Sequence, residues 1–434
     1  MKKLRLLLLT SLCLPMLPPT EVRADTFEEV LLYAYDSNPQ LKAAKAAHES
    51  NTEETNIALA GFLPTLNAAG TYAITREKTA GPIPPATHDE NQPLSGQITA
   101  KQNLFNGFGD LAKYRIAEAT VKGSEQTLFD AEQVIFLSAA TSYFDVQRDE
   151  ALVELQKNNE SILTKHLDSY RQKFRVGVVT RTDIDQSVSR LERAKAARIA
   201  AEGTLASTKA AYVRVIGKQP RNLQSVDHKK LLDLVPIKLD EAIQRALDAN
   251  PTLQQQFFAE KAARESVSAA EAGHYPTVDL TAYGSKGYTN YHEDDRPFRD
   301  EWYAGVSVNI PLYTGGATQA NVRKAKGTAA QNRYAYQNMR RQIAEETTIA
   351  YQAYQTSIAQ IDSINAQIKA ARSALDGVMR EAQVGSRTVL DILDAQQELL
   401  NAEVSLVEAK RDVNVSAMTL SYTMGNLTKK NLKL

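Results

Sequence analysis

Two short segments decide how this chain folds: Val176-Gly177-Val178-Val179-Thr180 and Val384-Gly385-Ser386-Arg387-Thr388. Each interrupts a long stretch without proline, because all 15 prolines lie outside residues 94–219 and 312–434. Proline removes a backbone donor and clashes with the preceding turn, so its absence permits very long helices. Glycine ends a helix by taking a positive φ, and Thr182 or Thr388 can cap the helix that follows. The two segments are therefore predicted to be the tips of two helical hairpins.

The proline-free stretches favour long helices packed side by side. They are rich in Ala, Gln, Glu, Lys and Leu, the residues that cost least in a helix. A helix from about Ala112 to Arg175 would reach roughly 95 Å at 1.5 Å per residue, which is longer than a globular domain tolerates. Such helices must pack against one another, and abundant Ala and Gln permit a close approach. The chain is predicted to be a mixed α and β protein made mostly of long α-helices.

The sequence is internally duplicated. Asn38-Pro39-Gln40-Leu41 recurs as Asn250-Pro251-Thr252-Leu253, displaced by 212 residues. Later pairs are displaced by 208 residues: Tyr143 and Tyr351, Val176 and Val384, Asp183 and Asp391, Gly217 and Gly425. The change in displacement indicates that four residues were lost between Pro276 and Tyr351, most simply in a loop.

Each copy is also predicted to contain one β-hairpin. Alternate residues of the second copy are apolar and would share one face of a strand: Trp302, Ala304, Val306, Val308, Ile310 and Leu312. The predicted bounds are a first repeat at 25–220 with its β-hairpin at about 66–105 and its helical tip at about 176–182, and a second repeat at 221–434 with its β-hairpin at about 278–313 and its tip at about 384–390. Polar loops are expected at 77–93 and 287–299.

Four strands cannot close into a barrel, which needs at least about eight. Four open strands with one apolar face would aggregate through their edges. Several chains, each contributing four strands, are therefore expected to form a ring that the long helices continue.

The N-terminus has the pattern of a secretory signal peptide, predicted to span residues 1–24. Basic Lys2, Lys3 and Arg5 precede an apolar run from Leu6 to Leu17, and cleavage is expected after Ala24. No later run approaches the 18 or more apolar residues of a membrane-spanning helix.

Composition and motifs exclude several classes of function. With 51 basic and 51 acidic side chains the chain lacks the charge expected for binding nucleic acid. Its six histidines are scattered and its single cysteine lies at position 13, so we expect no metal site and no cofactor. No nucleophile elbow, phosphate-binding loop or kinase motif is present, so no catalytic residues are assigned and the chain is not expected to be an enzyme.

The duplicated unit and the segment from Val384 to Gln397, with its Val-Gly-x-Arg-Thr-x-x-Asp-x-x-Asp pattern, resemble the TolC family of outer-membrane channel proteins. The resemblance implies a homotrimer that forms a 12-stranded β-barrel in the lipid of the outer membrane, continued by a 12-helix α-barrel through the periplasm. It implies the exit duct of type I protein secretion or multidrug efflux. Its partners would be a periplasmic adaptor (a membrane fusion protein) and an inner-membrane ABC or RND transporter.

The same resemblance assigns roles at the tips. Asp391 and Asp394 lie one helical turn apart and would form an acidic ring in the lumen, where mutual repulsion is expected to raise some of their pKa values. Arg387 would lock the gate through Thr182 and Asp183. The family often has a tyrosine where this chain has Ala382, which predicts fewer gate contacts.

Two further groups of residues complete the predicted sites. The tip residues Gly177, Val178, Gly385 and Ser386 are candidates for adaptor contact, although they also simply turn the chain. Trp302, Tyr303, Tyr288 and Tyr291 are candidates for the aromatic belt at a membrane interface, with core packing as the competing interpretation. The alternative function is a soluble periplasmic coiled-coil adaptor or scaffold, which would explain the helices but not the strands.

Overall fold

The computed structural model describes residues 25–79, 87–226, 235–236, 238–288, 298–432 and 434. The predicted signal peptide and Tyr291 lie outside these residues.

Eight α-helices account for most of the described chain: α1 (Phe27–Ser37), α2 (Pro39–Ala60), α3 (Gly109–Arg175), α4 (Arg181–Ile216), α5 (Leu239–Ala249), α6 (Pro251–Glu271), α7 (Ala317–Gln383) and α8 (Val389–Thr423). The predicted long helices are confirmed, because α3 and α7 each run for 67 residues without a break. At 1.5 Å per residue each is about 100 Å long. None of the helices described here has both the length and the hydropathy needed to cross a bilayer.

Six strands lie between the helices: β1 (Thr65–Tyr72), β2 (Thr75–Thr79), β3 (Thr87–Asn91), β4 (Leu94–Asn106), β5 (Thr277–Tyr288) and β6 (Phe298–Asn309). Four of them form an antiparallel sheet in the order β1-β4-β5-β6, so the two copies meet where β4 pairs with β5. Strands β2 and β3 form a separate two-stranded sheet.

The expectation of a plain polar loop at 77–93 is wrong, because the end of β2 and the whole of β3 lie within it. The first strand of this β-hairpin, predicted to run from Leu66 to Arg76, is also divided, since β1 ends at Tyr72 and Ala73 donates to the carbonyl of Pro93 at 3.1 Å. Pro93 has no N–H to continue the ladder, which explains the division. In the second copy β6 ends at Asn309, before Pro311, rather than at Leu312.

The duplication is visible in the packing. One apolar core gathers α1 and α4 around α3, with Tyr143 fully buried in it. The other gathers α5 and the start of α6 around α7, and there Tyr351 takes the place of Tyr143. Helix α7 begins 208 residues after α3 begins and ends 208 residues after α3 ends. This is also the displacement between Tyr143 and Tyr351. The four lost residues therefore fall before α7, in the region of the strands.

Candidate functional site

The two helical tips have the same backbone geometry. Gly177 and Gly385 have φ values of 77° and 81°, which glycine adopts without strain. The N–H of Val178 donates to the carbonyl of Lys173 at 2.9 Å, and the N–H of Ser386 donates to that of Glu381 at 3.0 Å. These bonds satisfy carbonyls at the ends of α3 and α7, as in a Schellman motif. Both tips therefore turn in the same way.

The tips expose apolar side chains to solvent. Val176, Val178 and Val384 are all largely exposed, and the space around the two tip glycines is open to at least 4 Å from where a Cβ would lie. The predicted adaptor-contact residues thus lie in open, partly apolar surface.

Each second helix of a hairpin begins with a capping box. Thr180, rather than the predicted Thr182, caps α4 with Asp183, and Thr388 caps α8 with Asp391 as predicted. In the second box, Asp391 Oδ2 accepts from the N–H and from the hydroxyl of Thr388, each at 2.8 Å. These bonds, with a smaller contribution from Arg387, lower the pKa of Asp391. Within one chain the pKa of Asp391 is lowered because the carboxylate is held as an acceptor by its own helix terminus, and the rise expected for a ring of three copies stays a prediction.

Asp394 is also engaged, but with a different element. Its Oδ1 lies 2.5 Å from Nη2 of Arg190, which belongs to α4 in the other hairpin. Asp391 and Asp394 are thus brought to the same turn of α8, as predicted from their spacing, yet one caps the helix and the other pairs across hairpins. A ring of free carboxylates does not describe either residue in the chain as it stands.

The predicted gate arginine is bound within its own hairpin. Nε of Arg387 lies 2.7 Å from Oε2 of Glu381, and this carboxylate raises the pKa of Arg387. Within the chain, Arg387 does not make the predicted contact with Thr182 and Asp183. Thr182 is exposed in the first turn of α4, and Asp183 is used by its capping box. Any lock through these residues would have to join neighbouring copies.

Ala382 packs among apolar residues of the second hairpin, beside the cluster of Leu375, Ile392 and Leu399. A tyrosine hydroxyl at this place would offer a hydrogen bond that alanine cannot make. Fewer gate contacts at this position stays a prediction.

The sheet separates the predicted interface aromatics onto two faces. Trp302 is 88% exposed and lies on the apolar face, opposite Gly284. Tyr303 points to the polar face, where its ring stacks on Tyr283 with centroids 5.1 Å apart. Tyr288 ends β5, opposite Phe298. Trp302 and Tyr303 therefore cannot both contact lipid.

Sequence reasoning missed Arg190. It lies outside the recognisable tip pattern and pairs with a residue 204 positions away. Its only sequence signal is a basic residue two turns into α4, which many solvated helices share. Among the residues that the structure describes, no group of acidic, histidine or cysteine side chains is arranged to hold a metal ion.

Comparisons with known proteins agree with this architecture. The model of a family described as "Outer membrane efflux protein" matches residues 32–218 and 242–426, one segment for each copy. Outer membrane efflux protein BepC of Brucella suis is 31% identical over 95% of this chain and 88% of BepC. Outer membrane protein TolC of Vibrio cholerae is 25% identical, covering 95% of this chain and 93% of its own.

The fold also matches solved structures. A crystal structure of CusC, reported with conformational changes accompanying folding and transmembrane channel formation, superimposes with a TM-score of 0.82 at 18% identity. The match covers 92% of this chain and 91% of CusC. The duplicated helical hairpins and the shared sheet are therefore a known architecture.

Proposed function

Because the chain belongs to the outer membrane efflux protein family and is an outer-membrane exit channel for secretion or efflux, we propose that three copies form one duct. Each copy would give its four-stranded sheet to a 12-stranded barrel in the outer membrane. Its α3, α4, α7 and α8 would continue the barrel as a 12-helix periplasmic tunnel. The duct would be passive, so that energy comes from an inner-membrane ABC or RND transporter reached through a periplasmic adaptor.

The observation that carries this proposal is the incomplete sheet. Strands β1 and β6 each pair on one side only among the described strands, and they stand at its two borders. The apolar face is left open by the residues that the structure describes, since Leu66 is 74% exposed and Val306 is 61% exposed. Open edges and such a face are unstable in water. Joining β1 of one copy to β6 of the next removes the edges, and outer-membrane lipid covers the face.

The opposite face of the sheet is suited to a water-filled passage. Asn103 donates to Asp279 at 3.1 Å, and Lys101 lies 3.9 Å from the same carboxylate. Tyr283 donates to Glu301 at 2.8 Å. These polar groups hold one another in place on this face of the sheet. A lining of this kind favours passage of varied cargo rather than selective binding.

We place the entrance of the duct at the helical tips. Gly177, Val178, Gly385 and Ser386 would form the contact with the adaptor, supported by the exposed valines beside them. Arg387, Thr182 and Asp183 would act between neighbouring copies. Each of these groups is exposed or partly exposed in a single chain and therefore available to a neighbour.

The test compares a lysine substitution on each face of β6. Val306→Lys puts a charge on the proposed lipid face, where it should cost about 2–4 kcal/mol near the bilayer midplane. Ser307→Lys, one residue further along, puts the same charge on the polar face and is the matched control. We expect the first variant to lose the heat-modifiable trimer from outer-membrane fractions and the second to keep it.

Planar-bilayer recordings of the purified wild-type trimer should show discrete conductance steps. A wild-type protein that is monomeric and soluble without detergent, with both lysine variants behaving alike, would contradict the proposal.

A further inference from the structure

The residue that would begin the mature chain, Asp25, is buried at the start of α1. It is 9% exposed, and its N–H donates to the carbonyl of Arg221 at 3.1 Å. Its own carbonyl accepts from the N–H of Gln224 at 3.4 Å. Two residues later, the ring of Phe27 packs edge-on against Tyr143 in the first apolar core. These contacts fix the position of Asp25, whereas the first residues of most domains are loosely held.

The side chain of Asp25 lies in a small polar group with Lys218 and Tyr212. Nζ of Lys218 donates to Oδ1 of Asp25 at 2.9 Å. Oδ2 of the same carboxylate is buried and has no hydrogen-bond partner among the residues that the structure describes, and the same holds for the Tyr212 hydroxyl. Burial, and after it the nearby charge of Asp25, raises the pKa of Tyr212. Buried polar atoms without partners cost free energy, so this group lacks a donor.

We propose that the missing donor is the α-ammonium group of Asp25 itself, which exists only after the signal peptide has been removed. A signal peptidase would hydrolyse the bond between Ala24 and Asp25. The oxygen of water joins the carbonyl carbon of Ala24, the C–N bond breaks, and both protons of the water end on the nitrogen. One N–H becomes three, and the nitrogen becomes positively charged. One donor stays on the carbonyl of Arg221, and two are left for Oδ2 of Asp25 and the Tyr212 hydroxyl.

The second copy of the repeat offers an internal comparison. There the chain runs on from the first copy, so no α-ammonium can form at the equivalent place. The helices on either side are alike, since Gly217 and Gly425 both follow their helices with a positive φ. At displacements of 212 and 208 residues, however, the polar residues are replaced: Asp25 by Ile237, Tyr212 by Leu420 and Lys218 by Asn426. The complete polar group thus occurs only in the copy that begins the mature chain.

The surrounding charges suit an added positive group. Glu28 and Glu29 lie in the first turn of α1, directly after the Thr26 cap. Their negative charge, together with that of Asp25, balances Lys218 and the new ammonium. A charged donor of this kind forms stronger hydrogen bonds than the amide that it replaces.

Removal of the signal peptide would therefore stabilise the fold as well as release the chain. In the precursor, the nitrogen of Asp25 has a single N–H, which Arg221 already uses, and Oδ2 stays without a partner. The packing around α1 would reach its full stability only in processed copies, which favours their assembly. Because it concerns maturation rather than transport, this goes beyond the proposed function. It rests on cleavage after Ala24.

The first experiment measures whether the α-amine is buried in wild-type trimers purified in detergent from outer membranes. Mass spectrometry should find Asp25 at the N-terminus. 2-Pyridinecarboxaldehyde, which modifies α-amines but not lysine side chains, should label the native trimer at least about tenfold more slowly than protein unfolded in guanidinium. A mature chain that begins at another residue, or equal labelling rates in the two states, would overturn the proposal.

The second experiment displaces the charge. A Ser-Gly insertion between Ala24 and Asp25 moves the α-ammonium two residues away and leaves every side chain of the group unchanged. The trimer should then dissociate about tenfold faster at a fixed temperature, as expected for a lost hydrogen bond to a charged group. Mass spectrometry verifies the new N-terminus of the inserted chain.

Two backgrounds show whether the insertion acts through the Asp25 carboxylate. In Asp25→Ala the insertion should have much less effect, because the partner of the ammonium has already been removed. Asp36→Ala is the matched control, since Asp36 is an exposed acid at the other end of α1, and there the insertion should act as strongly as in wild type. Equal losses in all three backgrounds would show that the added residues act by bulk alone.

That result, or an insertion without effect, would overturn the role of the α-ammonium. The labelling experiment needs no variant, so it decides the question even where the inserted chain fails to assemble. None of these measurements records transport, and their failure would leave the proposed duct intact. Wild-type protein that forms no trimers would instead contradict the proposed function.

Discussion

The carboxylate of Asp391 and the threonine three residues before it, Thr388, satisfy each other's backbone at the start of α8. Thr388 donates twice to Asp391 Oδ2, and the N–H of Asp391 donates to the Thr388 hydroxyl at 3.2 Å. Thr180 and Asp183 repeat this arrangement at the start of α4. The aspartate of each tip pattern therefore stabilises the start of a helix, whether or not its charge also faces the channel.

Removing the second cap should loosen only its own hairpin. Thr388→Ala should cost about 1 kcal/mol at the start of α8, which is about a fivefold loss of hydrogen-exchange protection in its first turn. Thr180→Ala is the matched control and should act on α4 alone. Loss of protection at both tips in either variant would mean that the hairpins unfold as one unit.

The cap should also set a pH limit. Because hydrogen bonds from Thr388 lower the folded-state pKa of Asp391, its contribution is complete above the ordinary aspartate value near 3.9 and disappears as pH falls through the lower folded value. Exchange protection of the α8 first turn should thus differ between wild type and Asp391→Asn from pH 7 down to about 4. The two should converge only in more acidic solution, and convergence near pH 6 would contradict the assignment.

Ion selectivity should depend on both acidic residues of the α8 tip. Two unit charges about 8 Å apart in water interact by about 0.5 kcal/mol, so removing one charge changes the local cation concentration by about twofold. Asp391→Asn with Asp394→Asn should lower the preference for potassium over chloride, measured as reversal potential in a salt gradient. Unchanged selectivity would place both side chains away from the ion path.

The single tryptophan reports on the sheet. Trp302 should be quenched by brominated acyl chains in lipid vesicles and protected from aqueous iodide, because it projects from the apolar face. Moving the probe by one residue, with Trp302→Phe and Tyr303→Trp, should reverse the pattern. Equal quenching in the two proteins would show that the faces are not separated by lipid.

The duplicated asparagines should matter equally to folding. Asn38 donates to the carbonyl of Val215 at 2.8 Å, and Asn250 donates to that of Thr423 at 2.9 Å. Both are buried and also cap the helix that follows them. Either asparagine changed to alanine should cost about 1–3 kcal/mol, seen as a lower unfolding midpoint of the trimer. An effect limited to one copy would show that only one of these two asparagine contacts stabilises the trimer.

Helices and strands with a regular sequence pattern could be predicted, whereas contacts between residues far apart in the sequence could not. Absence of proline predicted α3 and α7, and alternation at Trp302 and Val306 predicted β6. Strands β2 and β3 were missed because their residues are polar on both faces. The alternation of apolar and polar residues that predicts a strand is therefore absent from them. The Arg190 pair was missed because a contact between distant surface helices depends on how the hairpins pack, which no local spacing encodes.

The equal length of α3 and α7 restricts how this chain can change. An insertion in one of them alone would move one helical tip further from the sheet than the other, so that the tips would no longer end at the same level around the entrance. Length changes that keep the tips level must therefore occur in α3 and α7 together, with equal changes in α4 and α8. A relative with a longer or shorter tube should accordingly show compensated additions or deletions at equivalent places in both halves of its sequence.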